Sequence, residues 1–349
     1  FAAAKEALAA SVVYGANQDS VSISARFLTE NRDEAIALLR QSLIVPRFDA
    51  DAVERVRAQV LIGLKANKKD PNAIISKAFN DEAYGDHSYG RDVSGTIKTV
   101  TGLSIGDLKA AHLYAMVLDR AYVSVVGDIT AQELTHLVEN LMAGLPDTSP
   151  RPLPEQASLG LAQGVQVIDY PTPQSVALFG HAGIDREHPD FFAAYILNQI
   201  LGGSGFESRL MREIREKRGL TYGVNSYLAS RDYADLYIGQ FSSANDTIAE
   251  ALDVMRTEWT KISRDGITQE ELDRAKAYLT GAYPMRFDGN APIARILVGM
   301  QMQGLDPSYI KTRNDKVNAV TLEQANSVAR WLYQPEKLRI FVIGQPEGL

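Results

Sequence analysis

The chain has 349 residues, 45% of them hydrophobic and 23% charged, the balance of a globular protein long enough for two domains. Its formal net charge is −7 with no basic stripe, so nucleic acid and anionic membrane surfaces are poorly matched as partners. Cysteine is absent, which removes disulfides, thiolate metal sites and cysteine nucleophiles, and the longest apolar run, Phe191 to Leu197, is far short of the roughly 20 residues a bilayer span needs.

Phe1-Ala-Ala-Ala-Lys5 reads as the inside of a helix, with no initiator Met and no signal peptide. The expectation is therefore a gene product that starts upstream. A strand is predicted over Val21 to Phe27, and a helical pattern follows through Ala35, Leu38, Leu39, Leu43 and Val45. Pro46 breaks it, and a second helix is expected from Ala52 to about Lys65. Ser104 begins a third helix as its capping residue, leading to a strand at Tyr122 to Val126 that ends on Gly127. The segment Pro146-Asp-Thr-Ser-Pro-Arg-Pro-Leu-Pro154 is proline-rich, lacks a hydrophobic period and reads as a linker. Beyond it come strands at Val165 to Asp169 and Ser175 to Phe179, a helix from Pro189 to Leu201, and a glycine turn at Gly202 to Gly205. Further strands are expected at Tyr222 to Tyr227 and Ala234 to Phe241. A helix through Ile248, Leu252, Met255 and Trp259 breaks at Asp265-Gly266 and resumes from Gln269 to Gly281. Thr321 caps a last helix that leads to a strand at Arg339 to Ile343, ending on Gly344.

These elements repeat. Phe27-Leu-Thr-Glu-Asn and Phe241-Ser-Ser-Ala-Asn each open a helix pair at an offset of 214 residues, and Ser104 and Thr321 each open a helix-to-strand unit at an offset of 217. The reading is an α+β protein of two homologous domains, 1–145 and 161–349, joined by a linker at 146–160, each an antiparallel sheet covered by helices. Residues 161–215 hold two strands, a helix and a turn with no counterpart in the first half, so strands and a helix are expected before residue 1.

The most specific stretch runs from Asn198 to Val224: Asn-Gln-Ile-Leu-Gly-Gly-Ser-Gly-Phe-Glu-Ser-Arg-Leu-Met-Arg-Glu-Ile-Arg-Glu-Lys-Arg-Gly-Leu-Thr-Tyr-Gly-Val. It resembles a hallmark of the pitrilysin/insulinase family of inverted-zincin metallopeptidases, which includes the mitochondrial processing peptidases and related bacterial zinc peptidases. Gly85-Asp-His-Ser-Tyr-Gly90, Val126-Gly-Asp-Ile129 and the helix pair of the first half extend the resemblance over essentially the whole chain. The resemblance implies domains closing as a clamshell, and it places Arg215 and Tyr222 on the family's arginine–tyrosine pair. A guanidinium and a phenol are donors suited to a peptide carbonyl and to the oxyanion it becomes. Arg215 is expected in the last turn of a helix and Tyr222 at the start of the next strand, both facing one cleft. The bland alternative is an Arg answering the helix dipole and a Tyr anchoring a strand end. Arg218, in the run Arg215-Glu-Lys-Arg218, is a candidate substrate contact or simply a solvated helix end. Gly202-Gly-Ser-Gly205 follows a helix and lacks Gly-Lys-Ser/Thr, so it reads as a turn and not as a phosphate cradle.

Zinc binding in the resembled family uses H-x-x-E-H plus a Glu on a later helix. The five histidines, His87, His112, His136, His181 and His188, offer no such spacing, and Arg55 to Lys69, where the later ligand is expected, has no carboxylate. His181 and His188 read as a loop and a helix start, and His87 as structural. The implied function is the non-catalytic subunit of a heterodimeric zinc metallopeptidase. No metal is expected here; zinc is expected on a homologous partner subunit bearing H-x-x-E-H. The resemblance implies that Arg215, Tyr222 and Arg218 bind the peptide substrate and that Arg215 and Tyr222 stabilise the transition state in trans. Two alternatives stand: a complete zinc peptidase whose motif lies upstream, and a structural subunit resembling the core proteins of respiratory complexes. The expected compartment is the bacterial periplasm, with the cytoplasm as the alternative.

Overall fold

A computed structural model describes residues 1–203, 205 and 207–349. Two compact units are present: residues 1–64, 93–153 and 284–310 form one, and residues 65–92, 154–283 and 311–349 form the other. They do not follow the consecutive blocks 1–145 and 161–349 read from the sequence, because one helix from each half packs with the unit built mainly from the other. Pro71–Tyr84 belongs to the second unit and Asn290–Met302 to the first. At an offset of 217 residues these two helices fall on nearly the same positions, so the exchange is reciprocal.

The first unit has a two-stranded antiparallel sheet, β1 (Ser11–Ala16) and β2 (Val21–Arg26), with Val12 opposite Ala25. The helices Arg32–Ile44 and Ala131–Met142 cover it, burying Val12, Ile36 and Leu39 against Phe27, Leu137 and Leu141. Thr130 and Glu133 close a capping box on the second of these helices, satisfying donors its first turn would otherwise leave unpaired. That helix went unread, although Thr-x-x-Glu stood in the sequence. Arg40 donates to the carbonyls of Asn140 and Ala143 at 2.8 and 2.9 Å, answering the acceptors at the helix end.

The strand expected at Tyr122 to Val126 is not formed. No strand pairs with it among the described residues. Its polar groups turn to the exchanged helix instead: Ser124 Oγ donates to Ala294 O at 2.7 Å and Gln301 Nε2 to Val123 O at 2.9 Å. Alternation in a sequence supplies a strand candidate, but a strand exists only where a neighbour takes its hydrogen bonds.

The second unit is built on a five-stranded sheet, with β3 (Gly164–Asp169), β4 (Gln174–Ala182), β5 (Val224–Ser230), β6 (Asp235–Ala244) and β7 (Arg339–Gly344) in the order β3-β7-β4-β6-β5. Three ladders are antiparallel, and β3 runs parallel to β7, so this sheet is mixed where a purely antiparallel one was expected. Every residue of β7 is buried. Ile340 and Val342 face a layer formed by the helices Phe191–Leu201, Ile248–Asp265 and Leu322–Leu332. Phe341 and Ile343 face the exchanged helix through Ile75, Phe79 and Ala83. A strand covered on both faces reads as an unbroken apolar run, which is the run found at residues 340–343.

Trp259 is fully buried and sits edge-on to Phe179, Tyr237 and Tyr333, with ring centroids 5.8, 5.2 and 5.1 Å apart. His181 is not in a loop, as its flanking residues suggested. It lies in β4, stacked on Tyr237 at 5.4 Å and edge-on to Trp259 at 5.6 Å. Burial pushes its imidazole down to about 4, against a weaker opposing hydrogen bond to Ala182 O.

Replacing Trp259 removes the ring on which these aromatics converge. Trp259→Ala is expected to lower unfolding stability by about 3–5 kcal/mol, read as a shifted denaturant midpoint by tryptophan-independent circular dichroism. A loss below about 1 kcal/mol would mean that the cluster relaxes to fill the space.

Candidate functional site

The Asn198–Val224 stretch lies within the second unit. The helix Phe191–Leu201 ends at Gly202; Ser204, in the predicted glycine turn, lies outside the described residues. Arg209 then anchors the next segment. Its buried guanidinium makes a two-pronged ion pair with Glu271, both contacts 2.7 Å, and donates to Gly266 O at 3.0 Å. Glu271 is also the third residue of the capping box opened by Thr268, and Gly266, at φ 75°, ends the helix before it. Burial alone would raise the Glu271 carboxyl; Arg209 and the capping bonds outweigh it and lower its pKa.

Residues Met211–Glu216 form a π-helical turn. Such wide turns commonly mark functional positions. Met211 and Ile214 are buried, and Arg215, half-buried, sits in the last turn as expected. Gly219, at φ 65°, reverses the chain, and the Leu220 N–H returns to Ile214 O at 2.9 Å. Leu220 and Val224 are both buried, so the residues between them are held as a short bridge over the core.

Tyr222 stands on that bridge, two residues before β5 and not within it, and 88% of its surface is exposed. The expectation of a strand-start position fails because β5 begins only where Val224 pairs with Phe241. Arg215 and Tyr222 thus bracket one tight reversal.

Arg218 is engaged within the chain. Its Nη1 donates to Glu213 O at 2.7 Å and to Glu213 Oε2 at 3.1 Å. Glu213, only 9% exposed, also takes Lys217 at 2.7 Å and Arg212 at 3.3 Å. Burial opposes ionisation, but hydrogen bonds from Lys217, Arg218 and Arg212 overcome it and hold the carboxyl at about 2. Glu213 was not singled out in the sequence, although cations at +4 and +5 along the same turn were a readable signal.

The histidines do not gather into a metal site. His87 accepts from Tyr89 N–H through Nδ1 and donates to Glu155 O through Nε2 at 3.0 Å, a structural role at the start of a 3₁₀ turn. His112 donates to Leu43 O at 2.8 Å, His181 donates to Ala182 O at 2.7 Å, and His188 accepts from Asp190 N–H at 3.1 Å. No three His, Asp or Glu side chains come together to hold a metal among the described residues. The helix expected from about Ala52 spans Ala50–Asn67 and carries Asp51 and Glu54 ahead of the carboxylate-free stretch; Glu54 is taken by Arg57. Among the described residues, the histidines and carboxylates are not arranged as a zinc site.

The sequence profile of the peptidase M16 inactive domain matches residues 102–279, just over half of the chain. The chain belongs to the peptidase M16 inactive-domain family. Its likeness to solved structures agrees with this membership. A Pseudomonas fluorescens peptidase M16 inactive domain superposes with a TM-score of 0.89 at 29% identity, over 99% of this chain and 82% of that one. Among curated relatives, the "uncharacterized zinc protease YmxG" of Bacillus subtilis is 25% identical across 88% of this chain and 75% of its own length. A Helicobacter pylori protein named "non-peptidase homolog YmxG" is 24% identical across 93% of this chain and 75% of its own length. The chain is a non-catalytic homologue of M16 zinc proteases. No helix among its described residues is long and apolar enough to cross a membrane.

The Glu213 cluster carries a pH signature. A folded pKa of about 2 lies below the roughly 4.3 of a free glutamate, so its stabilisation is complete above about pH 4.3 and is lost as pH falls toward 2. Glu213→Gln is expected to cost about 1–3 kcal/mol at pH 7. The gap from wild type should close between pH 4.3 and 2 in urea titrations. A gap independent of pH would show that the carboxylate charge does not hold this turn.

Proposed function

We propose that this chain is the zinc-free subunit of a heterodimeric metallopeptidase and supplies Arg215 and Tyr222 to a site whose metal and general base lie on a homologous H-x-x-E-H-bearing partner. One observation carries the reading: Tyr222 is 88% exposed on a reversal that Arg215 opens and buried residues pin at both ends. At that exposure both its ring and its phenol O–H face solvent, where a peptide can reach them. The chemistry it offers is donation. A phenol O–H and a guanidinium can bind the scissile carbonyl of an extended peptide and take up the charge that develops on its oxygen. Membership of an inactive-domain family supports placing the metal elsewhere, as does the scatter of the histidines. Arg218 contributes by pairing with Glu213 and keeping the turn rigid, and its half-exposed side chain leaves room for a substrate contact. The bacterial periplasm remains the proposed compartment, with the cytoplasm as the alternative.

The test combines this chain with a separately expressed homologue that carries H-x-x-E-H. Tyr222→Phe and Arg215→Ala are each expected to lower peptide turnover by about 10²–10³-fold while the two chains still associate. Metal analysis of this chain alone should find no stoichiometric zinc. Wild-type turnover by both variants, or one tightly held zinc per isolated chain, would overturn the proposal.

A further inference from the structure

An exposed phenol contributes as a donor only if its loop holds it close to the productive direction. Gly219 and Gly223 flank Tyr222 closely, and glycine by itself lets such a loop swing. The structure shows what opposes that freedom. Thr221 is buried beside Tyr222, its Oγ1 within 2.7 Å of Ser242 O on β6 and 2.9 Å of Gly223 O, and the same oxygen accepts the Gly223 N–H at 3.1 Å. One residue earlier, Ser243 Oγ donates to Leu220 O at 2.5 Å and sits 2.9 Å from Thr247 Oγ1. On the far side, the Val224 N–H points to Met211 Sδ at 3.4 Å and the Ser226 N–H donates to Gly202 O at 2.7 Å. Two hydroxyls therefore tie the backbone before and after Tyr222 to the end of β6. A methyl in place of either would leave buried polar backbone unanswered.

We propose that Thr221 is a positioning residue for Tyr222: its hydroxyl clamps the Leu220–Gly223 bridge to β6 and so aims the phenol. The inference rests on the reading of Tyr222 as a transition-state donor. Thr221 touches no substrate. It acts only through the direction it imposes on its neighbour, and valine, equal in shape but lacking the hydroxyl, separates the two roles.

The experiment is a double-mutant cycle in the two-chain peptidase assay, with association of the chains measured separately. Thr221→Val is expected to lower kcat by about 10- to 100-fold with KM little changed, since misplacement on the ångström scale costs that much. Thr221→Ser keeps the hydroxyl and should stay close to wild type. In a Tyr222→Phe background, Thr221→Val should cost nothing further, because no phenol O–H remains to be aimed. Ser243→Ala, which loosens the bridge from its other side, should show the same pattern at smaller amplitude and serves where Thr221→Val does not fold. Losses that multiply in the double variant, or a wild-type kcat for Thr221→Val while Tyr222→Phe is impaired, would overturn the positioning role alone. Wild-type turnover by Tyr222→Phe would overturn the donor reading and this inference together.

Discussion

The second unit depends on the burial of β7 on both faces. Four consecutive apolar side chains, Ile340 to Val342 on one side and Phe341 to Ile343 on the other in alternation, have to be kept from water by two separate layers. At about 25 cal/mol per Å² of apolar surface, a strand of this kind is stable only when both layers are present. The helices after β4 and β6 supply the first layer. The second is Pro71–Tyr84, a helix from the first half of the sequence, whose Ile75, Phe79 and Ala83 cover Phe341 and Ile343. Pro71–Tyr84 joins this unit because the second face of the sheet needs a cover, so the unit is one that the second half of the sequence does not build alone.

That packing also explains the placement of the functional segment. The layer that covers Ile340 and Val342 includes Leu210, Ile214, Leu220 and Val224 in its cluster. Each of these lies within the motif that runs to Val224, so the segment is anchored to the core at both ends of its reversal. Arg209 adds a charged anchor to the Thr268–Glu271 cap, where a paired and hydrogen-bonded ion pair is tolerated in a near-dry setting. What remains outside is short: Arg215 at the edge, Glu216 to Arg218 in solvent, and Tyr222 on the bridge.

Three polar residues of the second unit hold its structure. His181 is sequestered beside Tyr237 and Trp259 and kept neutral by burial, although its neighbours in sequence looked like a loop. His87 ties the Gly85–Gly90 turn to Glu155. Arg218, read as a substrate contact or a solvated helix end, takes part in a cluster that drives Glu213 to about 2. The partner of His87 and the rings that enclose His181 lie far along the chain, which periodicity does not report.

The sequence by itself determined the repeat, the helix starts marked by Ser104 and Thr321, the apolar run of β7 and the motif that carries Arg215 and Tyr222. These are local properties: a capping side chain, a break at glycine or proline, and a hydrophobic period act within a few residues. Tertiary structure decided what depends on a neighbour far along the chain. Tyr122 to Val126 has strand composition but pairs with no strand among the described residues, and its hydrogen bonds run to a helix instead. Tyr222 leaves β5 because Leu220 and Val224 are drawn into the core on either side of it. The parallel pairing of β3 with β7, and the cover that Pro71–Tyr84 gives to one side of that sheet, rest on the same fact: apolar surface is buried by whichever segment reaches it, and sequence distance does not limit that reach.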